Sequence, residues 1–567
     1  MIVSAISLWK QFNLDTPLCV SEWDVTDNAG AKWSRVSFSG HTVEDGSVRI
    51  YARFCRPQGA GAKPAVLLLP DAGALLDEEL CRYFVDKGYA VLMPDYSGKM
   101  STDKDSDFRT VYPPSLAHGN YEKARGLYEI SDGISATETT WFEWLYVSLY
   151  CVKFLKARED VSSIGVVGIR TGGTLAWQTM LSNDVCCGVP INAVGWKSFA
   201  EVAKFGEMRA RDLSEDKHRY IAAVEAQSYA PSVQCPVLML CALRDDSFDC
   251  DRAYDTYMRI GNKVGNAIVY SPDSGACLGP IALNDLDLFL EKNLKGREIY
   301  IPAPVGISMQ ETERGLEINL ELDKEGILEE AGVYYAEADV QTKCAFRDWR
   351  SVYKVDGKTV KNGKASCVIK PFEGATAVFA YAYAKYINGF RVMSKITAKR
   401  VSTPNPNAVK GRMLFSGKEM DIFGVAEYKD YSIGNIFLEH EAVPKPVTGY
   451  GDIVGAFSVG GIKTYKISSP MFVPDENALL EFDAYLKAED RIIVAVEVGA
   501  MEQESERYVC KCKIASGGKW KRVILKAGDF KGERSGRPLG NFAQGQALMF
   551  DCEQEETEFA ITNILWL

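Results

Sequence analysis

Gly165-Val166-Val167-Gly168-Ile169-Arg170-Thr171-Gly172-Gly173 reads as an apolar strand that turns through glycines straight into a helix. The frame is that of a nucleophile elbow, where a G-x-S-x-G stretch lifts a serine onto a strained strand-to-helix turn. Here Arg170 stands at the serine position. A guanidinium stays protonated at any working pH and offers no lone pair, so Arg170 cannot act as a nucleophile.

Around this turn, short apolar runs alternate with helical patterns from about residue 36 to residue 294. Such alternation predicts a largely parallel sheet with helices on its faces. The runs 65–69, 90–93, 164–167, 193–196, 237–241 and 267–270 are apolar at consecutive positions, as strands covered on both faces must be. Thr140-Trp141-Phe142-Glu143 has the spacing of a capping box. It opens a helix whose Trp144, Val147, Cys151, Phe154 and Leu155 repeat at helical spacing.

After Lys295 the pattern changes: Pro302 and Pro304 introduce a region in which alternation with period two dominates. Strands are expected at 317–322, 332–336, 366–369, 377–384 and 391–398, enough for a small sandwich. Thr403-Pro404-Asn405-Pro406-Asn407 reads as a linker. Beyond it, strands at 464–467, 478–485, 491–498, 508–514, 520–524, 547–551 and 559–566 fit a jelly-roll sandwich. The expected organisation is an α/β domain over 1–300 with an N-terminal β extension, an immunoglobulin-like β-sandwich over 301–402, and a jelly roll over 408–567. A length of 567 residues suits that number, since domains usually hold ~100–200 residues.

Composition narrows the function classes. Hydrophobic residues make up 47% and charged ones 25%, an ordinary globular balance. A net charge of −11 argues against a general grip on nucleic acid, which needs clustered Lys and Arg. The first residues lack the order of a signal peptide and no run reaches membrane-spanning length, so a cytoplasmic protein with no membrane partner is expected. The 15 cysteines are dispersed, without the spacing of a disulfide framework or a zinc site, and most are expected to be small buried hydrophobes.

Four ordered landmarks give the first three hundred residues a family resemblance. They are Leu67-Leu68-Leu69-Pro70-Asp71-Ala72-Gly73, Gly88-Tyr89-Ala90-Val91-Leu92-Met93-Pro94-Asp95-Tyr96-Ser97-Gly98, the elbow itself, and Cys235-Pro236-Val237-Leu238-Met239-Leu240. In this order they resemble α/β-hydrolases of the dienelactone hydrolase and acetyl xylan esterase type. The resemblance implies an α/β-hydrolase fold with a mostly parallel central sheet, and a triad running serine, acid, histidine along the chain.

Only the acid survives. The serine position is Arg170, the acid position in Ala242-Leu243-Arg244-Asp245 is Asp245, and the histidine position falls on Ala276 or Cys277. The chain's four histidines, His41, His118, His218 and His440, match none of these places. Triad members act as a unit, so a lone acid has no imidazole to orient. Arg170 is long enough to reach Asp245, and an ion pair between them is expected to fill the former active site. The rival reading leaves Arg170 and the helix amides near Thr171 as an anion site.

Asp71 sits where negative charge would have to develop in acyl transfer and would oppose it; its plainer reading is a turn residue. Arg170, Asp71, Thr171, Tyr96, Trp144 and Asp245 are the candidate ligand contacts. Trp141 and Trp144 could line the cleft, although on such a helix stripe core packing is the commoner role. Cys277 and Thr171 are the fallback nucleophiles, and Asp246 could border the same cleft. No metal site is expected.

The last segment resembles galactose-binding-like carbohydrate-binding modules through Gly518-Lys519-Trp520, Asp529-Phe530 and Ala560-Ile561-Thr562-Asn563-Ile564-Leu565-Trp566. That resemblance implies saccharide binding by aromatic faces and leaves room for one structural calcium, with no other cofactor. Trp520 and Trp566 read as core anchors, and Tyr428, Tyr431, Tyr450 and Phe542 as nearer a ligand. Asp348-Trp349-Arg350 marks the middle segment, whose expected role is a spacer.

These readings converge on a pseudo-hydrolase that binds a carbohydrate or a small anionic ligand. The alternatives are an acyl hydrolase acting on ester bonds through Cys277 or Thr171, and a scaffold that serves oligomerisation, which leaves room for a homo-oligomer.

Overall fold

The structure is a computed structural model that describes residues 4–28, 30–74, 76, 78–98, 108–199, 202–206, 213–245, 247–271, 280–372, 375–401, 410–417, 422–425, 445–448, 453–487, 490–500, 505–514, 518–554 and 557–567. The strands of the first part are β1 (Ser21–Asn28), β2 (Ala31–Val43), β3 (Gly46–Pro57), β4 (Lys63–Leu69), β5 (Ala90–Pro94), β6 (Val161–Ile169), β7 (Cys187–Ile191), β8 (Leu238–Ala242) and β9 (Ala267–Ser271). They form one sheet in the order β1-β2-β3-β5-β4-β6-β7-β8-β9. The pairs from β5 to β9 are parallel, and β1 to β3 add an antiparallel wing.

β4 to β9 are buried on nearly every residue, as expected of strands with helices on both faces. The helix Thr140–Lys156 is buried almost all round. Its outer face is covered by the N-terminal segment, where Phe12 stacks on Phe142 at 4.5 Å and Lys153 donates to the Thr16 carbonyl at 2.8 Å.

Two sequence expectations need correction here. Residues 193–196 are not a strand: the strand is Cys187–Ile191, and Asn192, Gly195 and Trp196 all have positive φ, which ends extended structure. Gly188 and Pro190 inside β7 disguise it, because both residues weaken a strand pattern. Nor is Thr140 a cap. Thr139 is the N-cap, accepting from Phe142 N, while Glu143 is buried and accepts a 2.8 Å hydrogen bond from His41 Nδ1.

Beyond the α/β part, Gly306–Thr312, Gly315–Glu321 and Lys364–Ile369 form one antiparallel sheet. Arg350–Asp356, Leu328–Ala338 and Ala377–Tyr386 are successive strands of another, with Arg350–Asp356 at its edge. The expected single strand over 391–398 is two short ones, Arg391–Met393 and Thr397–Arg400, both pairing with Ala377–Tyr386. Trp349 lies fully buried in this region's core, which is continuous with that of the α/β part.

The last part is a pair of antiparallel sheets. One contains Leu479–Leu486, Trp520–Lys526 and Phe559–Trp566; the other contains Asp490–Val498, Glu506–Ile514 and Ala547–Cys552. Their facing sides enclose a separate core. The expected strand over 464–467 is displaced to Ile462–Thr464, followed by a tight turn at Lys466–Ser468. The expected linker over 403–407 lies outside the described residues. The β-rich remainder is thus of sandwich type, as expected.

Buried arginines join the three parts. Arg347 is fully buried and makes two 2.6 Å hydrogen bonds to the Asp251 carboxylate, with its guanidinium 3.5 Å from the centre of the Phe379 ring. Arg244 donates to the Ile422 carbonyl at 3.4 Å and lies 5.5 Å from the Tyr465 ring of the last sandwich. Ser468 Oγ in turn donates to the Phe346 carbonyl at 3.1 Å. Among the described residues no helix is long and apolar enough to cross a membrane.

Candidate functional site

At the end of β6 the chain makes the sharp turn that its glycines require. A Cβ on Gly168 would lie 2.1 Å from the Gly172 carbonyl oxygen, and one on Gly172 would lie 2.1 Å from the Leu69 carbonyl oxygen. One on Gly173 would meet the Ala193 Cβ at 2.5 Å. Only hydrogen fits at these close approaches. Arg170, at the apex, has φ 48° and ψ −105° and opens the helix Thr171–Thr179. The geometry of a nucleophile elbow therefore persists with an arginine in it.

Arg170 Nε lies 3.0 Å from Asp245 Oδ2. The Asp245 carboxylate is fully buried and also accepts from Asn192 Nδ2 at 2.9 Å and Ser247 N at 2.9 Å. Asn192 follows β7 in the left-handed region, with φ 51°, and its Oδ1 accepts from Ala242 N at 2.8 Å. The expected ion pair is thus present, set in a network that ties the ends of β6, β7 and β8 together.

Asp71 has a more definite place than a turn residue. Its Oδ1 accepts from Thr171 N at 3.1 Å and from Ala72 N at 3.0 Å. In α/β-hydrolases the amide of the residue after the nucleophile is half of the oxyanion hole. Here that amide is engaged by a carboxylate of the chain itself, at the positive end of the helix.

A cavity of about 390 Å³ opens over the elbow. Asp71, Arg170, Thr171, Asn192, Lys197 and Ser247 form its polar side, and Tyr121, Leu127, Tyr128, Trp141 and Trp144 its aromatic side. Both tryptophans are buried, and their indole N–H groups are spent on the Leu127 and Gly119 carbonyls. They are core residues that also present an edge to the cavity. Tyr96 is not on its wall: it is buried beneath, donating to the Pro70 carbonyl at 2.7 Å, and burial pushes its phenol pKa well up. Asp245 likewise stands behind Arg170 rather than on the surface.

Ala276, Cys277 and Asp246 lie outside the described residues, as do His440, Tyr428, Tyr431 and Tyr450. His41 pairs with Glu143, His118 is buried with its pKa lowered to about 4 by desolvation, and His218 is exposed on the helix Glu215–Ala223. None of these three lines the cavity. In the last sandwich, Trp566 is a core anchor as expected, but Trp520 is only partly buried and pairs with Tyr485 on the outer face. Phe542 is buried against Phe530 and Trp566, so it is not a surface contact.

Sequence reading missed Lys197, Asn192 and Tyr121. The first two follow β7, and placing that strand six residues late hid Asn192, the residue directly after it. The signal available was topological, since ligands in open α/β sheets gather beyond the carboxyl ends of the strands.

Residues 50–272 match the model of the Dienelactone hydrolase family, and the part of the chain that carries the elbow is an α/β-hydrolase domain of that type. Among solved structures, acetyl xylan esterase from Paenibacillus sp. R4 is similar at 17% identity and TM-score 0.38, over 51% of this chain and 92% of that one. Acetyl xylan esterase 1 from Thermoanaerobacterium sp. JW/SL YS485 is similar at 17% identity and TM-score 0.38, over 49% and 89%. Pyrococcus horikoshii acylaminoacyl peptidase is similar at 14% identity and TM-score 0.34, over 52% and 44%. No curated protein matches the chain.

Proposed function

We propose that the protein is a hydrolase-fold binding protein whose former catalytic cleft holds a carbohydrate or a small acid without hydrolysing it. The observation that carries this reading is the Asp71 carboxylate on Thr171 N. A negative charge at that amide opposes the oxyanion of any acyl-transfer intermediate. It accompanies an apex residue that cannot attack a carbonyl and an acid whose oxygens are taken up by Arg170, Asn192 and Ser247 N. The cavity itself has the make-up of a ligand site, with an aromatic wall facing a few polar groups.

The test is chemical labelling and turnover on the full chain. The wild type is exposed to a fluorophosphonate, to iodoacetamide, and to a panel of short-chain esters and acetylated sugars. The expected result is no stoichiometric label competed by an ester, no turnover, and thermal stabilisation by a cleft ligand. Labelling of Thr171 or Cys277 that an ester substrate competes would overturn the reading in favour of an esterase. The absence of both label and ligand stabilisation would favour a scaffold.

A further inference from the structure

Three charged groups that line the cavity differ in how they are satisfied. Arg170 is held against Asp245, and Asp71 rests on two backbone amides at a helix N-terminus, which offsets its charge. Lys197 is the exception: among the described residues its ammonium has no hydrogen-bond or ion-pair partner. Its backbone, by contrast, is firmly fixed. Glu225 accepts from Trp196 N at 2.9 Å and from Ser198 N at 2.8 Å, clamping the chain on both sides of Lys197.

The carboxylates whose charge is felt at the ammonium are Asp71, Glu225 and Asp245, with Arg170 as the opposing cation. Each of those carboxylates already accepts at least two hydrogen bonds from other groups. Burial outweighs their attraction and holds the Lys197 ammonium below its ordinary pKa, an effect that Arg170 reinforces. A half-buried cation on a cavity wall without a contact partner is stabilised by an anion that enters beside it.

We propose that Lys197 anchors the carboxylate of a ring-bearing monocarboxylic acid in this cavity, with the ring against the wall that includes Tyr121 and Trp141. The inference rests on the binding function proposed above. A single charge fits better than a phosphate dianion, because Asp71 lines the same cavity and repels a second negative charge. The aromatic side accepts a flat ring or the apolar face of a pyranose.

Calorimetric titration of the full chain tests it, with sodium benzoate and sodium glucuronate as the acids, benzamide and glucose as their neutral counterparts, and inorganic phosphate. At least one acid is expected to bind the wild type, at least about tenfold more tightly than its neutral counterpart and than phosphate. Lys197→Met is expected to weaken that acid by about tenfold or more while leaving the neutral compound unchanged, and Lys197→Arg to retain binding within about threefold. A circular-dichroism melt accompanies each variant, and a Lys197→Arg protein that is folded but binds no better than Lys197→Met counts against the anchor. Failure of both acids to bind, equal binding of acid and neutral compound, tighter binding of phosphate, or indifference to Lys197→Met would overturn the proposal. Binding of a neutral compound with neither acid binding more tightly than it would overturn the anchor and leave the cleft-binding function standing. Ester-competed labelling would bring down that function itself.

Discussion

Replacing Arg170 by glycine and by alanine separates the strain at the elbow from the ion pair that it carries. Both variants lose the 3.0 Å contact to Asp245, so that loss cancels between them. It is itself moderate, about 1–3 kcal/mol, because Asn192 Nδ2 and Ser247 N continue to satisfy the carboxylate. What differs is the backbone. At φ 48° and ψ −105° a residue with a Cβ is strained by about 1–3 kcal/mol, and glycine is not. Glycine gains about 0.5–1 kcal/mol of unfolded-state entropy relative to alanine, which acts in the opposite direction. The strain term is the larger, so Arg170→Gly should be the more stable of the two by about 1 kcal/mol. Urea unfolding followed by tryptophan fluorescence measures this as a shift in midpoint at constant slope. Lys217→Gly and Lys217→Ala, in the helix Glu215–Ala223, serve as the control in which alanine must win by about 1 kcal/mol. If Arg170→Ala equals or exceeds Arg170→Gly, the elbow is not strained and the turn has relaxed around its arginine.

Arg347→Met should cost about 3–5 kcal/mol, because it leaves the Asp251 carboxylate buried beside Asp249; adding Asp251→Leu should return at least half, read by the same unfolding assay. Asp285 lies fully buried on the helix Pro280–Lys295 with its pKa raised to about 8, chiefly by desolvation. Its folded-state pKa exceeds the unfolded one, so stability is fully present below about pH 4 and declines as pH rises towards about 8. Asp285→Asn should flatten that decline in urea midpoints taken across the range. Reinstating the family's serine and histidine by Arg170→Ser/Ala276→His should give slow ester hydrolysis until Asp71→Ala is added, which should raise kcat by about 10²–10³-fold with p-nitrophenyl acetate. Equal rates with and without Asp71 would show that its carboxylate does not oppose the oxyanion.

The sheet was legible where burial on both faces imposes unbroken apolar runs, as in 65–69, 90–93 and 267–270. It was least legible at β7, where Gly188 and Pro190 interrupt the pattern and the neighbouring strands supply the pairing. The Arg170–Asp245 pair could be anticipated because two positions of a known turn-and-loop geometry carried opposite charges. Asp71 on Thr171 N could not, since it depends on a side-chain rotamer across two loops that lie a hundred residues apart. Lys197 was hidden for a related reason. Its significance lies in the partners that nearby groups have already taken, and a linear chain does not record which those are.

Arg244 and Asp245 are consecutive residues that face opposite ways, one towards Tyr465 and Ile422 of the last sandwich and the other towards Arg170. One peptide unit thus serves two sockets. An occupant that shifted this peptide unit would act on both contacts at once, and any such coupling is by linkage reciprocal. Cutting away the C-terminal part would strip Arg244 of its Ile422 and Tyr465 contacts, one residue from the acid that holds Arg170.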